Sequence, residues 1–275
     1  MAQNVGKISI TMSVQIHKDL ITDSDVSALI DYCENEPGLP RDERPDVTNL
    51  DLQIDQGHWY QDLLVKICDS VVQEGWSAGR IAFWKSKIAW PLHTDTGDGS
   101  YESVSGKNIV IPLEWDNGNG TVVFTNRWQG KRVVFSKTIV SPYRVFLPKK
   151  DGSIIEVDDI RKLDDVEKFD ITVEELDILK QKRTNKNEQS NNRISDYASL
   201  SDYKDNELFD SAIHKQYLQH VNLEDLHGLT IDKILEWKKN EIYSWDREQV
   251  HCSTYQHSMK SIYVVIQVHP MLDQL

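Results

Sequence analysis

The sequence is poor in what several large protein classes require. It holds three cysteines in 275 residues, Cys33, Cys68 and Cys252. An odd number so widely spaced makes neither a disulfide framework nor a cysteine metal motif, which fits a reducing compartment. No apolar run approaches the roughly 20 residues that span a bilayer, and the N-terminus lacks the charged-then-apolar pattern of a secretory signal. Positive charge is short as well: 31 Lys and Arg against 44 Asp and Glu leave a formal net charge of −13. That balance disfavours phosphate backbones and anionic lipid, so neither nucleic acid nor membrane is an expected partner. Together these absences predict a soluble, cytoplasmic protein.

What is present suffices for a core. Hydrophobic residues make up 39% of the chain, including eight tryptophans and ten tyrosines, which argues for a folded globule. Ile8, Ile10, Met12, Val14 and Ile16 alternate with polar residues, predicting a strand with one buried face that His17 ends. Thr22, with Asp25 three residues on, reads as the N-cap of a helix carrying Val26, Leu29, Ile30 and Cys33. Pro37-Gly38 stops it. A second helix has Tyr60, Leu63, Leu64, Ile67 and Val71 in one stripe, closed by Gly75.

From Ala78 the pattern turns to short β segments at 81–84, 88–90, 108–115, 121–124, 132–135, 143–147 and 154–157. The Asp-Asn-Gly-Asn-Gly of 116–120 reads as a hairpin turn between its flanking strands. Pro112 inside an apolar strand implies an edge or a bulge. Residues 158–206 are charged and amide-rich, and 181–192 hold no aliphatic side chain. That stretch reads as a mobile insertion, either a surface excursion or a lid. Helical spacing returns at 208–221 and at 231–237, with Thr230 as a cap. A strand at 242–245 and a polar turn follow. On the last strand Lys260, Ile262, Val264, Ile266 and Val268 share one face.

The chemistry concentrates at His93-Thr-Asp95. A histidine and a carboxylate two residues apart on an extended chain point to the same side and can close on one metal ion if a third ligand arrives. Two His and one carboxylate with open positions mark a non-haem Fe(II) oxygenase site. The spacing alone is weak: with nine histidines and 44 acidic residues, chance expects about 1.4 such pairs. The second pair, His17-Lys-Asp19, lies between a strand and a helix and reads as turn residues. His251 follows a strand and a tight turn, and a lysine heads the apolar face nine positions later. An unpaired ammonium is expensive to bury, so Lys260 points to an anionic partner inside, or snorkels into solvent.

The order strand, His93-x-Asp95, a run of strands, His251 and a basic residue resembles the Fe(II)- and 2-oxoglutarate-dependent dioxygenases, in a branch similar to prolyl and phytanoyl hydroxylases. The 226–229 stretch Leu-His-Gly-Leu, a helix ending in Trp237, the 244–247 stretch Ser-Trp-Asp-Arg and the 251–253 stretch His-Cys-Ser carry the likeness, which covers about 78–269 apart from the polar insertion. The resemblance implies a mainly β fold with flanking helices, a double-stranded β-helix of the jelly-roll, cupin-like kind. It implies one domain over 1–275: a strand and supporting helices over 1–77, a jelly-roll core in 78–157 and 241–270, and a polar, helical insertion over 158–240. It further implies that His93, Asp95 and His251 hold Fe(II) and carry catalysis. Lys260 would pair with the far carboxylate of 2-oxoglutarate, with Ser253 and Asn108 beside that cosubstrate. The resemblance implies that O2 would take the remaining position and that a substrate C–H would be hydroxylated with release of succinate and CO2. Asp95, where a halogenase has Gly or Ala, argues against halogenation.

Two rivals stand beside this reading: a cupin-like metalloprotein, isomerase or zinc hydrolase, and a non-catalytic binding module on the same fold. The zinc reading leaves Lys260 without a purpose, and the complete triad argues against a degenerate module. A small molecule or a peptidyl side chain is the expected substrate. Trp90, Tyr101 and Trp115 flank the metal strand as pocket lining or core, and the remaining histidines read as surface or structural.

Overall fold

Thr22 and Asp25 exchange hydrogen bonds. Asp25 Oδ2 accepts from the Thr22 amide at 2.9 Å, and the Asp25 amide donates to Thr22 Oγ1 at 3.2 Å. This reciprocal cap opens α1 (Asp23–Asn35) where the sequence places it. The second helix, α2 (Tyr60–Val71), buries Tyr60, Leu64, Ile67 and Val71. Leu29 and Cys33 of α1 join that stripe in one apolar cluster with Phe83, Ile109, Ile111, Val264 and Ile266 of a large sheet. Each fully buried Leu or Ile there contributes about 1.5–3 kcal/mol.

The structure is a computed structural model that describes residues 14–35, 41–44, 47–52, 57–72, 75–96, 106–128, 135, 145–152, 154–157, 160–189, 200–255 and 260–270. The chain is mainly β, with few helices and antiparallel sheets. Seven strands form the large sheet, in the order β1 (Gln15–Lys18), β10 (Glu241–Asp246), β5 (Lys107–Trp115), β12 (Ser261–Pro270), β4 (Trp76–Ser86), β3 (Val47–Leu52) and β2 (Arg41–Arg44). A smaller sheet runs β11 (Gln249–Ser253), β6 (Gly120–Arg127) and β9 (Ile231–Glu236). The hairpin of β7 (Val145–Pro148) and β8 (Ile154–Val157) stands apart. Two further α-helices are α3 (Val173–Gln189) and α4 (Ser211–Tyr217), and short 3-10 helices lie at Ile160–Lys162 and Leu223–Leu226. No helix among the described residues is long and apolar enough to cross a membrane.

Several expectations are corrected. The 116–120 turn does not make a hairpin: β5 belongs to the large sheet and β6 to the small one. Gly118 supplies a positive φ of 87° and the Asn119 amide donates to Asp116 O, so the reversal itself is as read. Turn residues specify a reversal, whereas tertiary packing selects the partner strand. Residues 231–236, read as helix, are strand β9, paired with β6 through Leu235 opposite Thr121. This strand of the small sheet therefore falls inside the stretch read as an insertion. Short apolar runs do not separate the two periods. Residues 88–90 are not a strand, β4 instead running 11 residues up to Ser86. Ile16 is exposed rather than on a buried face, and residues 181–189 continue α3. Ile8, Ile10, Met12, Pro37, Gly38, Tyr101 and residues 132–134 lie outside the described residues.

Pro112 behaves as the sequence requires. The pairing of β5 with β12 slips beside it, with Tyr263 opposite Pro112 but Ile262 opposite Glu114. The pairing of β10 with β5 runs from Lys107 to Val110, short of the proline. A bulge thus accommodates the missing donor in an interior strand.

Strand parity on β12 sets the site. Ile262, Val264, Ile266 and Val268 face the helices in the large cluster. The odd residues Ser261, Tyr263, Val265 and Gln267 line a cleft on the sheet's other face.

Candidate metal centre

Just before residues 97–105, which lie outside the described set, the chain passes the small sheet and pairs with it at one point. His93 and His251 form an isolated antiparallel bridge, each amide donating to the other's carbonyl at 2.9 Å. Directly opposed residues of such a pair project to the same side. Their rings accordingly meet, with centroids 4.3 Å apart. Asp95, two residues on, is held by Arg247 in the turn between β10 and β11. Its amide donates to Arg247 O at 3.1 Å, and Arg247 Nε donates to its carbonyl at 2.8 Å.

His93, Asp95 and His251 offer donor atoms that all lie within 4.8 Å of one another. His251 Nε2 is 3.2 Å from Asp95 Oδ2, and His93 Nε2 is 4.0 Å from Oδ1. The imidazoles are also pre-set. His93 Nδ1 lies 2.6 Å from Pro91 O, and His251 Nδ1 lies 2.9 Å from Gln249 O. A carbonyl only accepts, so each Nδ1 carries the proton and each Nε2 presents its lone pair inward. Two buried imidazoles so held, beside a carboxylate, fit one divalent ion. Asn108 Nδ2 donates to Asp95 Oδ2 at 3.0 Å, tying that carboxylate to the large sheet.

The cleft over the triad is open to solvent and offers about 100 Å³ to the centres of water-sized molecules. The large sheet forms its floor. Trp84 and Trp90 meet edge to face at 5.3 Å, and Trp237 and Tyr263 lie 5.3 Å apart, giving it aromatic walls. Trp90 Nε1 donates to Tyr263 Oη at 2.7 Å. Burial keeps that phenol well above its ordinary pKa, so it stays protonated.

The other residues singled out by sequence divide. Ser253 lines the cleft, its Oγ accepting from the Trp90 amide at 3.1 Å. Asn108 lines it too, although its amide nitrogen serves Asp95. Lys260 does not: it is exposed, and its ammonium pairs with Glu114. It continues the parity of Ile262 and Val264, the face that the helices cover, so a cleft-facing lysine needed the opposite parity. Trp90 is in the cleft, while Trp115 packs against Trp237 from 6.4 Å. The decoy His17 bonds Ser244 Oγ through Nε2 at 3.0 Å, and Asp19 takes a φ of 60°, both structural. His220 is buried with its Nε2 3.0 Å from Trp90 O.

Sequence reasoning missed Arg247, Trp245, Tyr263, Gln267 and Arg80. Arg247 lies in the 244–247 stretch that carries the likeness, but residue type alone gives it no role there. Tyr263 and Gln267 were visible as the opposite parity of the last strand. Nothing local marked Arg80.

No family model matches the chain, and no curated protein does. Among solved structures, HygX from Streptomyces hygroscopicus with nickel and 2-oxoglutarate bound is 8% identical. The match covers 95% of this chain and 84% of that one, with a TM-score of 0.42. AviO1 from Streptomyces viridochromogenes Tue57 is 11% identical over 94% of this chain and 90% of that one, also at 0.42. HygX with hygromycin B also bound gives 0.44 at 8% identity, with the same coverage. The reading of the site rests on its own atoms.

Proposed function

We propose that the cleft is the active site of a non-haem Fe(II)- and 2-oxoglutarate-dependent oxygenase that hydroxylates a small molecule or a peptidyl side chain. Its two facing sheets are read as a double-stranded β-helix, a jelly roll with the metal at one mouth. The observation that carries this is the preset triad: both Nδ1 atoms lie on carbonyls, and both Nε2 atoms converge with Asp95.

His93, Asp95 and His251 would hold the ion. Two neutral imidazoles and one carboxylate leave a divalent ion with a net charge of about +1, suited to a dianionic chelating cosubstrate. Bound there, Fe(II) with 2-oxoglutarate and O2 supplies oxidative decarboxylation to succinate and CO2 coupled to hydroxylation. Ser253 and Tyr263 present hydroxyls to the cosubstrate side of the cleft. Trp84, Trp90 and Trp237 exclude water from it.

The position of Lys260 gives the cupin-like zinc reading a specific footing. Paired with Glu114 outside the cleft, the lysine no longer speaks for an internal anion. Zinc accepts the same three ligands with an open fourth position. Anaerobic titration with Fe(II) and then 2-oxoglutarate separates the two. The oxygenase gives a weak visible charge-transfer band that needs both components and is lost in His93→Ala. Metal binding without that band removes the oxygenase reading.

A further inference from the structure

The cleft floor is ordered in rows. Strands β10, β5, β12 and β4 lie side by side, and their register places Trp245, Asn108, Gln267 and Arg80 in one line across the sheet. All four line the cleft. The next row in the cleft is Val110, Val265 and Ala82, wholly apolar, and the one after pairs Tyr263 with Trp84. One edge of the floor is therefore polar, and the two rows beside it are apolar and aromatic.

The polar row starts at the metal site, because Asn108 bonds Asp95. Two of its atoms are unmatched. Asn108 Oδ1 and Trp245 Nε1 are buried without a hydrogen-bond partner among the described residues. The two residues are 0% and 3% exposed. A buried acceptor and a buried donor on neighbouring strands are costly to leave unmade. Both call for a ligand that carries the complementary groups.

The row ends at Arg80, the one cation among the described lining residues. A bulge between Ala78 and Arg80 sets it opposite Gln267. Asp51 Oδ1 accepts from Arg80 Nε at 2.9 Å and lies 2.8 Å from one Nη. A guanidinium has five N–H donors, so this contact orients it and leaves an edge for a planar anion. Strand spacing puts the Arg80 backbone about 10 Å from that of Asn108. Tyr263, whose hydroxyl is on the cosubstrate side, is roughly 13 Å from Gln267 along β12. The Arg80 end is thus distinct from the hydroxyl-lined end assigned to the cosubstrate.

We propose that Arg80 is a carboxylate seat and that the substrate is a small carboxylic acid with an apolar, aromatic body. Its acid group lies on Arg80 and Gln267, its body on the apolar and aromatic rows, and its polar atoms meet Asn108 Oδ1 and Trp245 Nε1 near the metal. This rests on the reading of the cleft as an active site and names what enters it.

The test uses 3-phenylpropionate and 3-phenylpropionamide, a pair differing in charge, titrated against the Fe(II)-loaded full chain under anaerobic conditions. Tryptophan fluorescence reads binding, since the cleft walls are tryptophans. The acid is expected to bind about ten- to a hundredfold tighter than the amide, the factor of one charge-assisted contact. Arg80→Gln removes that preference, and Arg80→Lys restores part of it with a point charge. Equal binding of acid and amide, no binding of either, or a preference that survives Arg80→Gln overturns the proposal. So does loss of the 2-oxoglutarate-dependent band in Arg80→Gln, which would give Arg80 to the cosubstrate. A wild type that prefers the acid yet shows no such band supports the seat and removes the oxygenase reading alone.

Discussion

Asn108 donates its side-chain amide to Asp95 Oδ2 at 3.0 Å and leaves its own Oδ1 buried without a partner among the described residues. The bond crosses the cleft. Asp95 arrives beside the small sheet with His93 and His251, whereas Asn108 stands on β5 in the floor of the large one. One hydrogen bond therefore fixes the Asp95 carboxylate, a candidate ligand, to the floor of the large sheet.

Asn108→Ala is expected to lower metal affinity by about 10–100-fold, the usual cost of losing a residue that orients a ligand. His93→Ala and His251→Ala lower it further. Titration with Co(II), followed by its visible spectrum, measures all three. Unchanged affinity in Asn108→Ala would show that Asp95 is positioned by its backbone contacts with Arg247 alone.

Lys260→Ala is expected to leave the 2-oxoglutarate dependence of the Fe(II) band intact. Its ion pair with Glu114 is on the surface, where such pairs contribute about 0–1 kcal/mol. Urea unfolding of the variant should accordingly show a midpoint close to that of the parent. A weakened band would return the lysine to the cleft.

His220 makes stability depend on pH. Burial lowers its pKa from 6.5 to about 4. Between those values the unfolded chain binds a proton that the folded chain does not. Stability contributed by the neutral ring is complete above pH 6.5 and is lost as pH falls toward 4, by up to about 3 kcal/mol. His220→Gln should be the less stable protein at pH 7, with the gap narrowing toward pH 4. Parallel denaturant curves at the two pH values read this directly, and a constant gap refutes it.

Gly120→Ala is expected to destabilise by about 1–3 kcal/mol, the cost of overpacking. A Cβ there collides with the Leu235 carbonyl of β9, backbone that cannot turn aside. Gly152→Ala is the contrast: the space around Gly152 is open, but its φ of 80° strains any side chain. Thermal unfolding of both separates steric from conformational cost, and a neutral Gly120→Ala would mean that β6 and β9 can part.

The sequence alone determined what local physics controls. Reciprocal capping at Thr22 and Asp25, the apolar stripe of α2, the bulge at Pro112 and the alternation of the last strand were all legible, because each depends on neighbours a few residues apart. The His93-x-Asp95 spacing was legible for the same reason. Tertiary structure decided the rest. It assigned the strands flanking residues 116–120 to different sheets and made a strand of 231–236, since partner choice depends on residues far along the chain. It placed His251 against His93 across 158 positions. It turned Lys260 outward and brought Arg80, Gln267, Asn108 and Trp245 into one row, because strand parity and register, not residue type, decide which side chains share a cleft.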